Sequence, residues 1–193
     1  MSLSKYHQKY ADLPDEELEK RARVKEEELQ NIFSVIPFPK TGTPVRVGVM
    51  GCGDKRFVQY HQEIFSRLFV KPAAITTFDI STEHLTGADN VYLHDVTLPL
   101  PSGPFDVTYA HVLLKFIETE KQWDVIQNSF DALANGGITI HVFDHEEVET
   151  ADVLLSNGQY AVPLERWKTQ LQERGIENHT VPLQYGCALI LKK

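Results

Sequence analysis

The chain has 193 residues, enough for one domain with a substantial core, and its 42% hydrophobic and 24% charged residues are ordinary for a soluble globular protein. Its formal charge of −8 argues against a broad nucleic-acid surface, because neutralising phosphates requires clustered Lys and Arg. No apolar run approaches the ~20 residues of a membrane-spanning helix, the N-terminus is polar, and two cysteines make no disulfide framework, so a cytoplasmic location is expected.

Residues 4–36 are highly charged and are predicted to be helical. Pro14-Asp15-Glu16-Glu17 has the proline and the acids of a helix start. Two interpretations of the helix that follows stay open: a solvated helix packed at the edge of a sheet, or a lid over a ligand site. Ile36-Pro37-Phe38-Pro39 ends the helix. We therefore divide the chain into an N-terminal helical segment, residues 1–40, and a main domain, residues 41–193.

The segment from Val45 to Met50 has the apolar, β-branched composition of a buried strand. A tight loop containing Gly51 and Gly53 follows, and then a helix with one apolar face. The segment from Ala73 to Asp79 is predicted to be a second buried strand that ends on a carboxylate. Such a strand–turn–helix–strand unit binds ribose-bearing cofactors, because bare glycines admit the ligand and the acid accepts hydrogen bonds from a ribose diol.

Spacing distinguishes the ligands that such a unit can bind. The dinucleotide fingerprint G-x-G-x-x-G fails because the sixth position from Gly51 is Arg56, and no phosphate-binding G-x-x-x-x-G-K-[ST] loop is present. The loop resembles instead the first motif of the class I S-adenosylmethionine-dependent methyltransferases, acid-x-G-x-G-x-G. Gly51 and Gly53 match its first two glycines, whereas Lys55 stands at the third glycine and Val49 at the acid.

Strands and helices continue to alternate beyond Asp79. The connection over residues 80–89 is too short for a regular crossover helix, so a single turn or an irregular segment is expected there. Asn135-Gly136-Gly137 is predicted to end the helix before the fifth strand by supplying left-handed conformations. The remaining predicted strands span residues 90–95, 105–110, 138–143, 176–181 and 187–191, and the last two form an antiparallel hairpin.

This order of segments strengthens the resemblance to the methyltransferase family, which covers roughly residues 45–191. The resemblance implies an α/β fold with a doubly wound, mostly parallel seven-stranded sheet, an antiparallel C-terminal hairpin and N-terminal helices. It also implies S-adenosylmethionine as the cofactor and a small-molecule methyl acceptor. The acidic charge and the lack of a long apolar run add the expectation that neither nucleic acid nor a membrane is a partner. The acceptor pocket is expected among the N-terminal helices, residues 111–120 and residues 144–163.

The resemblance also assigns residues to the cofactor. It places the methionyl part against the loop from Met50 to Asp54, the ribose on Asp79 and the adenine beside Asp95. For Asp79 the alternative is an acid that simply ends a strand, and for Asp95 it is a turn or capping aspartate. The residues that the resemblance assigns to cofactor binding are Met50, Gly51, Cys52, Gly53, Asp54, Asp79, Ile80, Asp95 and Val96.

Methyl transfer from a sulfonium is an in-line displacement, so an enzyme can work largely by aligning the acceptor with the methyl group. A general base helps where the acceptor must lose a proton, and His111 is the best-placed candidate, ahead of Tyr109 and Lys115. A histidine packed under a lid is the alternative for His111. His141 and His145 are interpreted as a solvated loop rim, because residues four apart do not converge on a strand, and no metal is expected.

Two departures from the family motif leave other functions open. Val49 cannot accept a hydrogen bond from the cofactor's ammonium, so Asp54 or a backbone carbonyl would have to replace it. Lys55 and Arg56 bring positive charge either near the sulfonium or towards the cofactor's carboxylate. A second hypothesis is therefore a non-catalytic methyltransferase-like module that binds a protein partner. A third, an NAD-dependent enzyme, rests only on the shared fold.

Overall fold

The computed structural model describes residue 8, residues 10–145 and residues 159–193. None of the helices in these ranges has both the length and the apolarity needed to cross a membrane. Single 3₁₀ turns lie at Glu83–Leu85 and Leu114–Phe116. The main helices are α1 (Asp15–Val35), α2 (Lys55–Phe69), α3 (Thr119–Asp131) and α4 (Leu164–Glu173). The strands are β1 (Val45–Met50), β2 (Ala73–Asp79), β3 (Val91–Leu93), β4 (Phe105–His111), β5 (Leu133–Asp144), β6 (Glu177–Leu183) and β7 (Gly186–Lys192).

The seven strands form one sheet in the order β3-β2-β1-β4-β5-β7-β6. β1 pairs in parallel with β2 and with β4, whereas β7 runs antiparallel to both β5 and β6. The predicted doubly wound, mostly parallel sheet with an antiparallel C-terminal hairpin is therefore confirmed. Because the strand order reverses between β1 and β4, the carboxyl ends of these two strands form the crevice where open α/β sheets bind their ligands.

Helices cover both faces of the sheet. On one face α1 packs against α2 and β6, and its buried Leu18, Leu29 and Ile32 belong to the same hydrophobic core as β1. On the other face Ile126 of α3 and Trp167 of α4 are buried in a second core. The N-terminal helix α1 is therefore a structural layer of the fold, and its polar side can reach the carboxyl ends of β1 and β4.

The connections that precede β3 and β5 were both predicted from the sequence, and one of them differs in the structure. The predicted irregular connection after β2 is confirmed, since it contains only the 3₁₀ turn Glu83–Leu85. The prediction that Asn135-Gly136-Gly137 ends a helix is wrong, because α3 ends at Asp131 and β5 begins at Leu133. The glycines lie instead in an irregular first part of β5, where a Cβ on Gly137 would lie 3.0 Å from two backbone oxygens.

Candidate active site

The glycine loop between β1 and α2 begins at the crevice where the strand order reverses. Gly51 adopts a φ of +74°, a conformation that L side chains rarely take, and its amide donates to the carbonyl of Phe78 at 2.8 Å. A Cβ on Gly51 would lie 2.8 Å from Cδ1 of Leu113, which follows β4. The backbone conformation therefore favours glycine at this position, and the end of the Leu113 side chain would have to shift to admit a Cβ.

Asp79 connects the end of β2 to this loop. Its Oδ2 accepts a hydrogen bond from the Cys52 amide at 2.8 Å, and its Oδ1 accepts one from the Ser81 amide at 3.0 Å. The residue is only 7% exposed. An ionised carboxylate offers about four lone-pair positions, so these two bonds leave capacity for the hydroxyls of a ligand.

His84 is a residue of this site that sequence reasoning missed. It lies in the 3₁₀ turn after β2, and its Nε2 is 2.6 Å from the carbonyl oxygen of Cys52 and 4.0 Å from Oδ2 of Asp79. Asp79 and His84 thus hold the two backbone polar atoms of Cys52. The sequence feature that could have pointed to His84 is the short connection after β2, because a short connection keeps residues 80–89 close to the glycine loop.

Ile80 and Asp95, two of the residues assigned to cofactor binding, lie just beyond the ends of β2 and β3. Ile80 follows Asp79 and is 73% exposed, which leaves an apolar surface beside the buried carboxylate. Asp95 is exposed, and its Oδ1 accepts hydrogen bonds from the amide and the hydroxyl of Thr97, at 3.0 and 2.8 Å. These bonds lower the pKa of Asp95. Its geometry is that of a turn aspartate, the alternative left open by the sequence.

Two more of the assigned residues, Met50 and Val96, are buried. Met50 ends β1 and lies with Val96 in the core on the α3 side of the sheet. Asn128 donates to the carbonyl of Val96 at 3.4 Å. Their side chains therefore belong to the core, so a contact with a ligand would fall to their backbone atoms.

The loop residues Cys52 and Asp54 have partners within the protein. Burial raises the pKa of the Cys52 thiol to about 12, and its Sγ donates to the carbonyl of Asp54 at 3.2 Å, so this thiol is a poor nucleophile. Asp54 caps α2 and accepts hydrogen bonds from the amide, Nε and Nη2 of Arg56 at 2.8 to 2.9 Å. Burial raises the pKa of Asp54, but the hydrogen bonds from Arg56 outweigh this and lower it overall.

Arg56 points towards the N-terminal segment. Its Nη1 donates to the carbonyl of Leu13 at 3.1 Å and pairs with Asp15 at 2.7 Å, and its Nη2 donates to the carbonyl of Tyr10 at 3.2 Å. The neighbouring Lys55 is exposed. From the sequence, both cations are expected near the sulfonium or the carboxylate of a cofactor, but Arg56 points to the segment before α1 and to Asp15.

His111 is the last residue of β4 and contacts α1. Its Nε2 lies 3.0 Å from Oε2 of the buried Glu28, which sequence reasoning missed. Burial and the charge of Lys25 lower the pKa of His111 to about 4, against the opposite effect of Glu28, so the imidazole is neutral at neutral pH. The next residue, Val112, has a φ of +54°, which is unusual for a β-branched residue and is typical of functional sites.

A second pair of polar side chains is buried below His111. The rings of His61 of α2 and Tyr109 of β4 meet edge to face at 5.6 Å. Among the described residues, both ring nitrogens of His61 and the hydroxyl of Tyr109 lack a hydrogen-bond partner. Burial raises the pKa of Tyr109 well above its ordinary value, so its hydroxyl stays protonated. Buried polar atoms without partners are uncommon and mark a place for water or a ligand.

The other candidates named from the sequence lie elsewhere. Lys115 forms an ion pair with Asp144 at the end of β5. The interpretation of His141 as part of a solvated rim is wrong, because β5 continues to Asp144 and places His141 under α3, with its Nε2 3.0 Å from Oγ of Ser129. His145 is exposed. Within the ranges that the structure describes, no three His, Cys, Asp or Glu side chains are placed to hold a metal ion.

A cavity of about 210 Å³ lies between α1 and the turn that joins β6 to β7. Glu28 lines this cavity and also contacts His111, so the carboxylate connects the cavity to the end of β4. The predicted acceptor pocket included residues 144–163, of which residues 146–158 lie outside the described part of the chain. The residues that line the cavity are Val24, Glu27, Glu28, Asn31, Leu183, Gln184 and Tyr185.

No protein-family model and no curated protein sequence matches the chain, but solved structures do. Streptomyces venezuelae DesVI has a TM-score of 0.63 and 12% identity, over 99% of this chain and 99% of that one. CalS10 from Micromonospora echinaspora, an amino pentose methyltransferase with bound S-adenosylmethionine, has a TM-score of 0.62 and 13% identity, over 93% and 97%. An O-methyltransferase family protein from Burkholderia thailandensis has a TM-score of 0.57 and 14% identity, over 77% and 51%.

The present chain thus spans about half the length of the Burkholderia protein, and nearly the whole length of the other two. At identities this low, a structural likeness shows the fold and not the activity. The strand order and the antiparallel hairpin agree with that likeness. The chain therefore has the class I S-adenosylmethionine-dependent methyltransferase fold, as the order of its segments predicted.

Proposed function

We propose that this protein is an S-adenosylmethionine-dependent methyltransferase that acts on a small-molecule acceptor. The observation that supports this most is the buried carboxylate of Asp79, bonded to the Cys52 amide of the glycine loop. It joins the two parts of the unit that binds ribose-bearing cofactors, at the crevice where such folds bind ligands. The same cofactor is bound in the structure of CalS10.

The residues of the site fit this cofactor. Asp79 would accept the ribose hydroxyls, and the exposed Ile80 would cover the adenine ring. The positive dipole end of α2 would suit the carboxylate of the methionyl part. When bound, the cofactor supplies a methyl group activated by a sulfonium. The protein then has to bring the acceptor into line with that methyl group.

His111 and Glu28 would remove a proton from the acceptor. A neutral imidazole can accept a proton, and the Glu28 carboxylate 3.0 Å away would hold the ring in place and stabilise the imidazolium that forms. The cavity of about 210 Å³ that Glu28 lines would admit a small acceptor, since sites for drug-sized molecules are larger, about 300–1,000 Å³. Methylation of a hydroxyl or an amine would suit this arrangement.

Calorimetry on the full chain with S-adenosylmethionine and with its demethylated product S-adenosylhomocysteine tests the proposal. We expect saturable binding that Asp79→Ala abolishes, while Asp89→Ala, an exposed aspartate of the same connection, leaves it unchanged. Absence of binding at millimolar cofactor would remove the proposal. Transfer of a labelled methyl group to any member of a metabolite library would count against a non-catalytic module. A rise in melting temperature with a nicotinamide cofactor would favour the NAD-dependent alternative.

A further inference from the structure

Lys25 lies one helical turn before Glu28 on α1 and brings a positive charge to the glycine loop. Its Nζ lies 5.4 Å from the centre of the Phe57 ring, in the first turn of α2. No ion pair or hydrogen bond of this ammonium to any described residue is found. Lys25 is half-buried. Glu28 is near enough to raise the pKa of Lys25, but the ammonium lacks the direct ion pair that buried cations ordinarily have.

Lys25 lies near the glycine loop and near the buried pair His61 and Tyr109. The Phe57 ring that contacts the Lys25 ammonium stacks on the imidazole of His61, with 6.2 Å between the ring centres and 27° between the ring planes. Both ring nitrogens of His61 lack partners among the residues described. The charged and titratable groups that face Lys25 are Arg21 and Glu28 from α1, Cys52 from the loop, His61 from α2 and His111 from β4.

The carboxylates near the loop are engaged elsewhere. Asp79 accepts from the Cys52 and Ser81 amides, Asp54 is held by Arg56, and Glu28 contacts His111. Burial lowers the pKa of Lys25 to about 8, so the ammonium is still largely charged at neutral pH. Since no described carboxylate forms a direct ion pair with Lys25, an anion in direct contact with its ammonium would come from a bound ligand.

We propose that Lys25 binds the carboxylate of the cofactor's methionyl part. This inference rests on the proposed function and adds to it a residue from outside the glycine loop. Val49, which stands where the family motif has an acid, is buried in the core and offers no charge to the methionyl group. The N-terminal helix then supplies, beside the first turn of α2, a charge that helps to hold the amino-acid end of the cofactor.

Comparing two ligands distinguishes binding of the cofactor's carboxylate by Lys25 from a general effect of the substitution on the cofactor site. S-adenosylhomocysteine carries the amino-acid end, and 5′-methylthioadenosine has the same adenosine and thioether without it. Calorimetry on the full chain should show that Lys25→Met weakens binding of S-adenosylhomocysteine by about ten- to a hundredfold, as expected for one lost charge-assisted hydrogen bond. Binding of 5′-methylthioadenosine should stay within about twofold. Lys20→Met, at an exposed lysine of the same helix, should change neither, and Lys25→Arg should restore most of the affinity.

The pH dependence of binding provides a second readout. Raising the pH from about 7 to about 9 should weaken S-adenosylhomocysteine binding more in the wild type than in Lys25→Arg, because Lys25 loses its charge near pH 8, a guanidinium does not, and the ligand's own amine titrates in both experiments. Equal weakening of both ligands by Lys25→Met, or no weakening of either, would overturn the role of Lys25 alone. Absence of binding of both ligands to the wild-type protein would instead remove the proposed function, and this inference with it.

Discussion

The imidazole of His111 and the carboxylate of Glu28 lie 3.0 Å apart, although 83 residues separate them in the sequence. The contact joins the last residue of β4 to the middle of α1. It also makes the N-terminal helix part of the candidate active site, because Glu28 lines the cavity next to that helix. The same helix brings Lys25 near the glycine loop, so α1 contributes a carboxylate to the end of β4 and an ammonium beside the loop.

The first prediction concerns His111 as the general base. With an acceptor that must lose a proton, His111→Gln should lower kcat by about 10²- to 10⁴-fold, the usual contribution of a general base. Glu28→Gln should lower kcat less, because the imidazole remains but the imidazolium is less stabilised. Rates of methylated product formation measure this, and calorimetry should show unchanged affinity of His111→Gln for S-adenosylhomocysteine. His179→Gln, at a histidine of the edge strand β6 that pairs with Glu177, is the control. An unchanged kcat in His111→Gln would assign the pair a structural role.

The second prediction concerns the close contact at Gly51. Gly51→Ala should destabilise the protein by about 1–2 kcal/mol for its positive φ, and by roughly 0.5–1.5 kcal/mol more because the Leu113 side chain must leave its preferred rotamer. Gly87 has a similar φ of +89° with open space around it, so Gly87→Ala should show only the destabilisation due to the positive φ. Urea unfolding measures both. In a Leu113→Ala background, Gly51→Ala should cost only the free energy due to its positive φ, because the overlapping side chain is gone. If Gly51→Ala costs as much free energy of unfolding in that background as in the wild type, the packing argument is wrong.

The third prediction concerns Arg56 as the link between the loop and the N-terminal segment. Arg56→Met leaves the buried Asp54 with only a backbone partner and frees the carbonyls of Tyr10 and Leu13, so it should lower the free energy of unfolding by about 3 kcal/mol. Lys55→Met, at the exposed neighbour, should stay within about 0.5 kcal/mol of the wild type. Urea unfolding compares the two, and limited proteolysis should cut the N-terminal segment faster in Arg56→Met alone. Equal stability of the two variants would show that Arg56 does not anchor the segment.

The fourth prediction concerns pH and the buried His141. Burial lowers the pKa of His141 from 6.5 to about 3, so between these values the unfolded chain binds a proton that the folded protein excludes. Stability is therefore fully present above about pH 6.5 and falls with decreasing pH, by about 1.4 kcal/mol per pH unit for this histidine. Urea unfolding at several pH values should show a shallower slope in His141→Gln than in the wild type. His145→Gln should keep the wild-type slope, and equal slopes in all three proteins would contradict the prediction.

Local patterns in the sequence were sufficient for the architecture. The apolar, β-branched run Val45–Met50, the loop after it and the acid that ends β2 each depend on neighbours within a few residues. Their order in turn predicts the doubly wound sheet, because parallel strands joined by helices have few possible arrangements. The sequence also placed Asp79 and His111 at the carboxyl ends of their strands, where open α/β sheets bind ligands.

Only the tertiary structure decided which side chains meet those residues. Lys25 and Glu28 belong to a charged helix in which no local feature distinguishes them from Glu26 or Glu27, and their places follow from how α1 packs across the sheet. His84 reaches Cys52 because the chain after β2 turns back over the loop, and His141 is buried because β5 continues through the sheet. Contacts between residues far apart in sequence depend on the packing of whole elements, which a local pattern does not contain.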